Sequence, residues 1–368
     1  MSAHPLRSAP SIPPGGAGQP ARHPHGQGWD LATRPVIVIW EVTNACALAC
    51  VHCRASAEPL RHPEELTTEE GFALIDSVAR LNPALLILTG GDPLMRDDLF
   101  DLIAYAKSRG LRVSAAPAGT ARATPEAMRR FREAGVDSLS FSLDGPDEVI
   151  HDGFRRVRGT FRRTLKAIEA AREAGVPFQI NTTVCRTTRP HLDRLAELVQ
   201  ILDAVQWDLF ILVPTGRGRE LEPLGPQEYE AFLHWLAQLA EKAPFRVKTT
   251  EGPQFRRVLA QRRGQDPETL RPGVNAGKGN IFISHRGQVY PSGFLPLEVG
   301  HVRQDPLEKI YWESPILQAL RDPAQLKGRC GRCPYKDHCG GSRSRAYAVT
   351  GDYLAEDPLC GWEPPAAS

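Results

Sequence analysis

The sequence of 368 residues has no run approaching the roughly 18 consecutive apolar residues that indicate a membrane-spanning helix. It also lacks an excess of charge of either sign, since 45 Lys and Arg residues stand against 43 Asp and Glu residues. The formal charge of +2 does not mark the chain as a general nucleic-acid or membrane-surface binder. Hydrophobic residues make up 41% of the chain, which is ordinary for a globular protein and too many for a wholly disordered one.

The amino-terminal segment lacks the apolar block of a secretory signal, which favours the cytoplasm. That compartment is reducing, so the eight cysteines are interpreted as metal ligands or reactive thiols rather than as disulfides. The segment is rich in Pro and Gly and has little apolar surface to bury. Residues 1–30 are therefore predicted to form a flexible tail.

From Val36 onward, short β-branched runs alternate with stretches of helical periodicity, and this unit repeats six times. The predicted strands are residues 36–42, 85–89, 111–115, 138–143, 178–184 and 209–213. The predicted helices are residues 68–81, 97–109, 125–134, 161–174, 190–202 and 227–242. Alternating strands and helices favour parallel βα units with functional loops at the carboxyl ends of the strands. The sequence therefore predicts an α/β fold, a partial (βα)6 TIM-like barrel, over residues 31–245.

The alternation stops after residue 245. One more strand, an Arg-rich helix and a hairpin around residues 285–288 are predicted beyond it. The last forty residues are dense in Cys, Gly and Arg and have little apolar material for a core. Residues 246–368 are therefore predicted to form a small Cys-rich carboxyl-terminal domain held together by a metal site.

Three cysteines, Cys46, Cys50 and Cys53, follow the first predicted strand with the spacing C-x3-C-x2-C. Three thiolates can bind three corners of an iron-sulfur cube and leave its fourth iron open. A zinc site would need a fourth ligand, for which His52 is the alternative candidate. The loop that carries these residues is predicted to lie at the mouth of the barrel.

The segment that contains these cysteines, residues 40–53, reads WEVTNACALACVHC and resembles the signature of radical S-adenosylmethionine (radical SAM) enzymes. The resemblance implies a 4Fe-4S cluster on Cys46, Cys50 and Cys53 whose open iron binds S-adenosylmethionine (SAM). It also implies reductive cleavage of SAM to methionine and a 5'-deoxyadenosyl radical that abstracts hydrogen from a substrate. Many members of the family carry an aromatic residue before the third cysteine, where this chain has His52.

A second match closes the second predicted strand, where residues 89–93 read TGGDP and the family has Gly-Gly-Glu-Pro. Read alone, this sequence indicates only a turn. Beside the cysteine motif, the resemblance implies that Gly90, Gly91, Asp92 and Pro93 bind the methionine amino group of SAM. Paired glycines let the backbone approach a ligand closely, so the change from Glu to Asp92 leaves the backbone role intact.

Three further positions are implied as SAM contacts. Similarity to the family implies that Ser142 at the end of the fourth strand contacts the ribose or carboxylate of SAM, that Arg155 pairs with the carboxylate, and that Asn181 lies near the ribose. The alternatives are a helix cap for Ser142, a surface salt bridge for Arg155 and a satisfied buried amide for Asn181.

A second group of cysteines has the spacing C-x2-C-x5-C-x20-C and consists of Cys330, Cys333, Cys339 and Cys360. Four thiolates close either an iron-sulfur cluster or a zinc site, and the spacing does not separate the two. Residues 339–360 resemble the carboxyl-terminal SPASM extension of radical SAM enzymes, which implies an auxiliary 4Fe-4S cluster. Asn275, Ser292 and Arg343 stand where the full SPASM pattern has further cysteines, so a single auxiliary cluster is expected.

The one-cluster pattern looks like that of heme-pathway members, which remove acid side chains from modified tetrapyrroles. The resemblance implies an enzyme of the oxidoreductase or lyase type, a carboxylate-bearing tetrapyrrole as substrate, and a reducing partner such as flavodoxin or ferredoxin. No nucleic-acid or membrane partner is expected. The candidate side chains for binding substrate carboxylates are Arg217, Arg219, Arg343 and Arg345.

Two other functions stay open from the sequence. One is maturation of a peptide or a metalloenzyme, which is common among SPASM proteins. The other is a non-catalytic zinc-bound or redox-sensing scaffold. The eighth cysteine, Cys185, has no cysteine close to it in sequence and is interpreted as a small core residue.

Overall fold

The computed structural model describes residues 29–365. The predicted flexible tail over residues 1–30 lies almost wholly outside the described residues. Among the described residues, one sheet has the strand order β11-β10-β9-β1-β2-β3-β4-β5-β6-β7, and β8 pairs with β9. The strands are β1 (Ile37–Glu41), β2 (Leu85–Thr89), β3 (Val113–Ala115), β4 (Ser138–Ser142), β5 (Phe178–Val184), β6 (Gln206–Ile211), β7 (Arg246–Thr250), β8 (Asn275–Ala276), β9 (Gly279–Ile283), β10 (Gln288–Tyr290) and β11 (Gly300–His301).

Strands β1 to β7 pair in parallel with their neighbours, and helices lie between them in the chain. The helices are α1 (Thr68–Leu81), α2 (Leu99–Ser108), α3 (Pro125–Glu133), α4 (Glu148–Arg155), α5 (Thr160–Glu173), α6 (Leu192–Ile201), α7 (Pro226–Lys242), α8 (Gln254–Arg262), α9 (Leu307–Glu313), α10 (Pro315–Arg321), α11 (Gly328–Arg332) and α12 (Arg343–Thr350). This arrangement confirms the predicted α/β fold with a partial TIM-like barrel.

Local signals explain the helix and strand boundaries that were predicted best. Helix α1 begins after Thr67, whose hydroxyl accepts from the Glu70 backbone N–H while the Glu70 carboxylate accepts from the Thr67 N–H. The helix ends at Asn82, which adopts the left-handed conformation. Strand β5 alternates strictly between buried and less buried residues. The bounds of α1, β2 and β5 agree with the prediction to the residue.

The barrel differs from the prediction at β6 and in the connection after β4. Strand β6 begins at Gln206 rather than at residue 209, because the buried Trp207 donates from its indole N–H to the Thr182 hydroxyl and extends the pairing with β5. Helix α4 was not predicted at all. It is only eight residues long, with Asp147 as its N-cap, and it lies in the connection between β4 and α5.

The sheet continues beyond residue 245, where the barrel prediction ends. Strand β7 pairs in parallel with β6, and the predicted hairpin is present as β9 and β10, which are antiparallel. Strand β9 also pairs in parallel with β1, so it joins a segment late in the chain to the first strand. A large apolar core packs between the sheet and the helices, with Trp40 and Trp207 fully buried in it. The carboxyl ends of the parallel strands therefore form one edge from which the functional loops extend.

Candidate functional site

The cysteine loop leaves the carboxyl end of β1 and is held by backbone hydrogen bonds. The Cys46 N–H donates to the Glu58 carbonyl at 2.8 Å. The loop after β6 holds the other end, because the Arg217 N–H donates to the Cys53 carbonyl at 3.0 Å and the Arg217 Nε donates to the Cys50 carbonyl at 2.9 Å. The side chains of all three cysteines share one small apolar cluster. The sheet edge therefore brings the three predicted thiols together.

The Gly-Gly turn after β2 packs directly on the backbone that precedes Cys46. The Gly91 N–H donates to the Thr43 carbonyl at 2.9 Å and the Asp92 N–H donates to the Ala45 carbonyl at 2.7 Å. A Cβ atom at Gly91 would lie 2.3 Å from the Ala45 carbonyl oxygen, which no side chain can tolerate without a shift of the backbone. The glycines thus position the cysteine loop in addition to any contact with a ligand.

A cavity of about 240 Å³ lies beside the cysteine loop. Its wall contains eight of the ten residues that are predicted to bind the cluster or SAM: Cys46, Cys50, Cys53, Gly90, Gly91, Ser142, Arg155 and Asn181. Ser142 and Asn181 are direct register partners on β4 and β5, which explains why they reach the same wall. The N-cap of α4 is Asp147 rather than Ser142.

Asp92 and Pro93 lie behind this cavity rather than in its wall. The Asp92 carboxylate is fully buried and accepts from the Thr120 hydroxyl at 2.7 Å and from the Leu94 N–H at 3.2 Å. Burial raises the pKa of Asp92, although these hydrogen bonds oppose the shift. Its side chain therefore organises the turn from behind.

Arg155 is buried and forms an ion pair with the fully buried Asp144. Its Nη1 also donates to the Cys50 sulfur at 3.6 Å. Burial alone would lower the pKa of Arg155, but the charge of Asp144 outweighs it and the pKa is raised. Arg155 is therefore a permanent cation beside the thiols, and it is not the surface salt-bridge partner of the alternative interpretation.

Two histidines near the cavity were not assigned a role as SAM contacts. His52 is stacked on Phe154 with ring centroids 4.7 Å apart, and burial lowers its pKa to about 3. His151 on α4 is fully buried, its Nδ1 accepts from the Asp144 N–H at 3.2 Å, and burial lowers its pKa to about 4. Both rings are neutral at pH 7. No sequence signal pointed to His151, because the helix that carries it was not predicted.

A second cavity contains all four of the carboxyl-terminal cysteines in its wall: Cys330, Cys333, Cys339 and Cys360. Arg257 and Gly341 also line it, and the Arg343 Nη2 donates to the Cys330 sulfur at 3.6 Å. Asp357 also lines the cavity and forms a buried ion pair with Arg345 at 2.6 Å. This pair ties α12 to the segment that ends at Cys360.

The donor sets of both cavities fit iron-sulfur clusters. Among residues 29–365, no three His, Cys, Asp or Glu side chains converge closely enough for a single metal ion. A cube of four irons needs its cysteines around a larger volume, because each sulfur binds a different iron. Three thiols line one cavity and four line the other, which are the numbers that a cluster with one open iron and a fully ligated cluster need.

The prediction for the arginines was wrong at Arg343 and Arg345. Arg343 donates to the Tyr353 and Ala355 carbonyls, and Arg345 is paired with Asp357, so internal partners occupy both guanidinium groups. Arg217 holds the cysteine loop and keeps one buried nitrogen, Nη2, without a hydrogen-bond partner in the described part of the chain. Arg219 is exposed.

Comparison with known proteins identifies the family. The model of the radical SAM superfamily matches residues 40–199. An AdoMet-dependent heme synthase of Methanosarcina barkeri is 41% identical over 344 residues, which cover 91% of this chain and 98% of that protein. The chain belongs to the radical SAM superfamily. A second AdoMet-dependent heme synthase, from Nitratidesulfovibrio vulgaris, is 40% identical over 89% of this chain and 92% of its own.

Solved structures show the same fold as this radical SAM enzyme. Streptococcus suis SuiB bound to S-adenosylmethionine superposes with a TM-score of 0.71 and 12% identity, covering 90% of this chain and 78% of that one. Native anSMEcpe with bound AdoMet superposes with a TM-score of 0.66 and 17% identity, covering 89% and 94%. The predicted family and fold are confirmed.

Membership of the family makes the protein an enzyme that uses a 4Fe-4S cluster and SAM, which confirms these two predicted cofactors. The alternative of a non-catalytic scaffold is therefore wrong. Within residues 29–365, no helix is both long and apolar enough to cross a membrane.

Proposed function

We propose that Cys46, Cys50 and Cys53 hold the 4Fe-4S cluster and that SAM occupies the adjacent cavity. When bound, the cluster supplies the electron that splits SAM into methionine and the 5'-deoxyadenosyl radical. The position of Gly90, Gly91, Ser142, Arg155 and Asn181 in the same cavity wall supports a role for these residues as SAM contacts. Asp92 and Pro93 contribute by shaping the turn that carries the glycines.

The carboxyl-terminal cysteines hold a single auxiliary 4Fe-4S cluster in this proposal. Their common cavity and the cationic Arg257 and Arg343 beside it support the assignment, because cations and N–H groups near sulfur stabilise an anionic cluster. The proposal of one auxiliary cluster rather than two rests on the polar side chains that stand where the full SPASM pattern has further cysteines. Asn275 donates to the Gly341 carbonyl at 2.7 Å, and Ser292 donates to the Glu251 carboxylate at 3.0 Å.

The substrate in this proposal is a tetrapyrrole that carries propionate side chains. The observation that carries it is the match of 91% of the chain to an AdoMet-dependent heme synthase at 41% identity. Other relatives at 30% identity are an Fe-coproporphyrin III synthase of Methanosarcina barkeri and a pre-heme d1 synthase of Dinoroseobacter shibae. All three names describe chemistry on the tetrapyrroles of heme pathways.

The reaction that fits is conversion of a propionate into a vinyl group. The 5'-deoxyadenosyl radical takes a hydrogen atom from the propionate CH2 group that is bonded directly to the macrocycle. The carboxylate then leaves as CO2 and a C=C bond forms, and the one remaining electron passes to a one-electron acceptor of the iron-sulfur or flavin type. A reducing partner such as flavodoxin or ferredoxin supplies the electron that starts each cycle.

A peptide substrate is the second candidate. A mycofactocin maturase, MftC of Mycolicibacterium smegmatis, is 30% identical over 90% of this chain. This identity is lower than that of the heme synthases, so the tetrapyrrole is favoured.

The test of the proposed function is turnover of the anaerobically reconstituted enzyme with Fe-coproporphyrin III, SAM and a reductant. We expect 5'-deoxyadenosine and a porphyrin that has lost the elements of formic acid for each converted propionate. Deuterium placed at the abstracted position should appear in 5'-deoxyadenosine. SAM cleavage without any change in the porphyrin would contradict the proposal and favour a different substrate, such as a peptide.

The Gly91→Ala substitution tests the position of the cysteine loop. The added Cβ meets the Ala45 carbonyl, so the loop must move, and we expect strain of about 1–3 kcal/mol together with lower iron content and weaker SAM binding. The matched control is Gly153→Ala in α4, where a Cβ meets no atom within 4 Å. Normal iron content in both variants, measured after reconstitution, would show that the close contact at Gly91 does not position the loop.

A further inference from the structure

His285 lies at the functional edge of the sheet although it is far from the cysteine motif in sequence. Strand β9 pairs in parallel with β1, with Ile283 opposite Trp40. The residues that follow these partners therefore leave the sheet side by side at its carboxyl edge. Glu41 is the last residue of β1, and His285 begins the turn between β9 and β10. The cysteine loop starts from the same edge.

The His285 ring is oriented by a buried carboxylate. Its Nδ1 lies 2.7 Å from the Glu41 Oε1, and the other carboxylate oxygen of Glu41 pairs with Arg54 at 2.8 Å. Burial alone would raise the pKa of Glu41, but the charge of Arg54 and the hydrogen bond with His285 outweigh it and lower the pKa. When the Nδ1–H group donates its hydrogen bond to the Glu41 carboxylate, the imidazole tautomer carries its lone pair on Nε2.

The Nε2 atom has no hydrogen-bond partner among residues 29–365, and the side chain is 15% exposed. A histidine whose Nδ1–H is held by a carboxylate and whose Nε2 is open is the arrangement that metal-ligating histidines use. The described residues provide no second and third ligand for a free ion around it. A single imidazole is, however, sufficient for a metal that arrives inside a macrocycle, because the macrocycle supplies the other ligands.

Arg54 connects the pair of His285 and Glu41 to the SAM cavity, because it pairs with Glu41 and lines that cavity. Its guanidinium group stacks over Phe282 at 4.3 Å from the ring centre. Phe210 and Phe294 also line the cavity, with ring centroids 6.4 Å apart. Aromatic faces of this kind suit the stacking of a planar ring system. A substrate that spans this region would present its periphery to the SAM cavity.

We propose that the Nε2 atom of His285 is the axial ligand to the iron of the tetrapyrrole substrate, with Glu41 as the residue that positions the ring. This inference rests on the proposed function and adds to it the atom that fixes the substrate. Iron ligation would set the position of the macrocycle and so decide which side chain faces the radical. It would also make the enzyme selective for the iron-bound form over the metal-free form.

The experiment compares the reconstituted wild type with His285→Ala and with His62→Ala. His62 is the matched control, because its ring contacts that of His285 edge-on at 5.9 Å but is not held by a carboxylate. Each protein is titrated with Fe-coproporphyrin III and with metal-free coproporphyrin III. We expect His285→Ala to bind the iron form about tenfold or more weakly and the metal-free form nearly unchanged. His62→Ala should bind both forms like the wild type.

The resonance Raman spectrum of the ferrous complex gives a second readout. The wild type should show an iron–nitrogen stretching band that shifts with ¹⁵N-labelled histidine, disappears in His285→Ala and returns with added imidazole. If His285→Ala does not fold, Glu41→Gln keeps the ligand and weakens its hydrogen bond. The band should then move to lower frequency, because the imidazole loses electron density.

The possible failures are distinguishable. The proposed ligation is wrong if His285→Ala binds both porphyrins equally more weakly, or if the wild-type complex lacks the histidine-sensitive band. In either case, decarboxylation by the wild type would still support the proposed function. A wild type that binds neither porphyrin overturns both.

Discussion

The Cys50→Ala variant is expected to lose SAM cleavage entirely, with 5'-deoxyadenosine at the level of the enzyme-free reaction. One of the three proposed iron ligands disappears, and a cluster bound by two thiolates is not retained in the geometry that leaves one iron for SAM. The substitution also removes the sulfur that accepts from the buried Arg155, at 3.6 Å in the wild type. The measurement is 5'-deoxyadenosine by liquid chromatography after anaerobic reduction, together with iron and sulfide content.

The matched control is Cys185→Ala. Cys185 is also fully buried, but it belongs to a different apolar cluster, and its sulfur lies 3.7 Å from the Thr188 hydroxyl. It lines neither of the two cavities that contain cysteines. We expect this variant to keep its iron and its SAM cleavage. Cleavage by Cys50→Ala at the rate of Cys185→Ala would contradict the assignment of the SAM-binding cluster.

Features coded by neighbouring residues could be predicted from the sequence. The capping residues of α1, the alternation along β5 and the spacing of Cys46, Cys50 and Cys53 are all readable within a short segment. The register between β4 and β5 was not predicted, and Ser142 and Asn181 were assigned to one site only through the resemblance to radical SAM enzymes; their pairing across the two strands explains why they lie together. Most of the residues that line the cavity beside the cysteine loop were therefore predicted from motifs that resemble those of the family, and the parallel order of the strands explains why these motifs meet.

Features that depend on distant pairing could not be predicted. The parallel pairing of β9 with β1 joins segments that are separated by more than half of the chain, and no local pattern distinguishes it from an ordinary hairpin strand. That pairing is what brings His285 to Glu41. Charge alone misled the prediction at Arg345, because the sequence does not reveal that Asp357 lies against it.

The Asp357→Asn variant is expected to destabilise the carboxyl-terminal cysteine site strongly. Arg345 and Asp357 are both almost completely inaccessible, and the carboxylate also accepts from the Gln254 side chain at 2.6 Å and the Ser342 N–H at 2.7 Å. Burial alone would raise the pKa of Asp357, but the charge and hydrogen bonds of Arg345 outweigh it and lower the pKa. Removing one partner leaves a buried cation unpaired, which costs about 3–5 kcal/mol.

The loss should be confined to the carboxyl-terminal cysteine site, which is proposed to hold the auxiliary cluster, since the cysteine loop is held by Arg217 and the Gly-Gly turn rather than by α12. Asp357→Asn should therefore lose about half of the reconstituted iron and unfold at a lower temperature, yet still cleave SAM. Asp352→Asn is the matched control, because its partner Lys327 is exposed and such a pair contributes about 1 kcal/mol or less. If Asp357→Asn instead lost SAM cleavage along with all of its iron, the two cysteine sites would fold as one unit. The expectation that each site is stabilised separately would then be wrong.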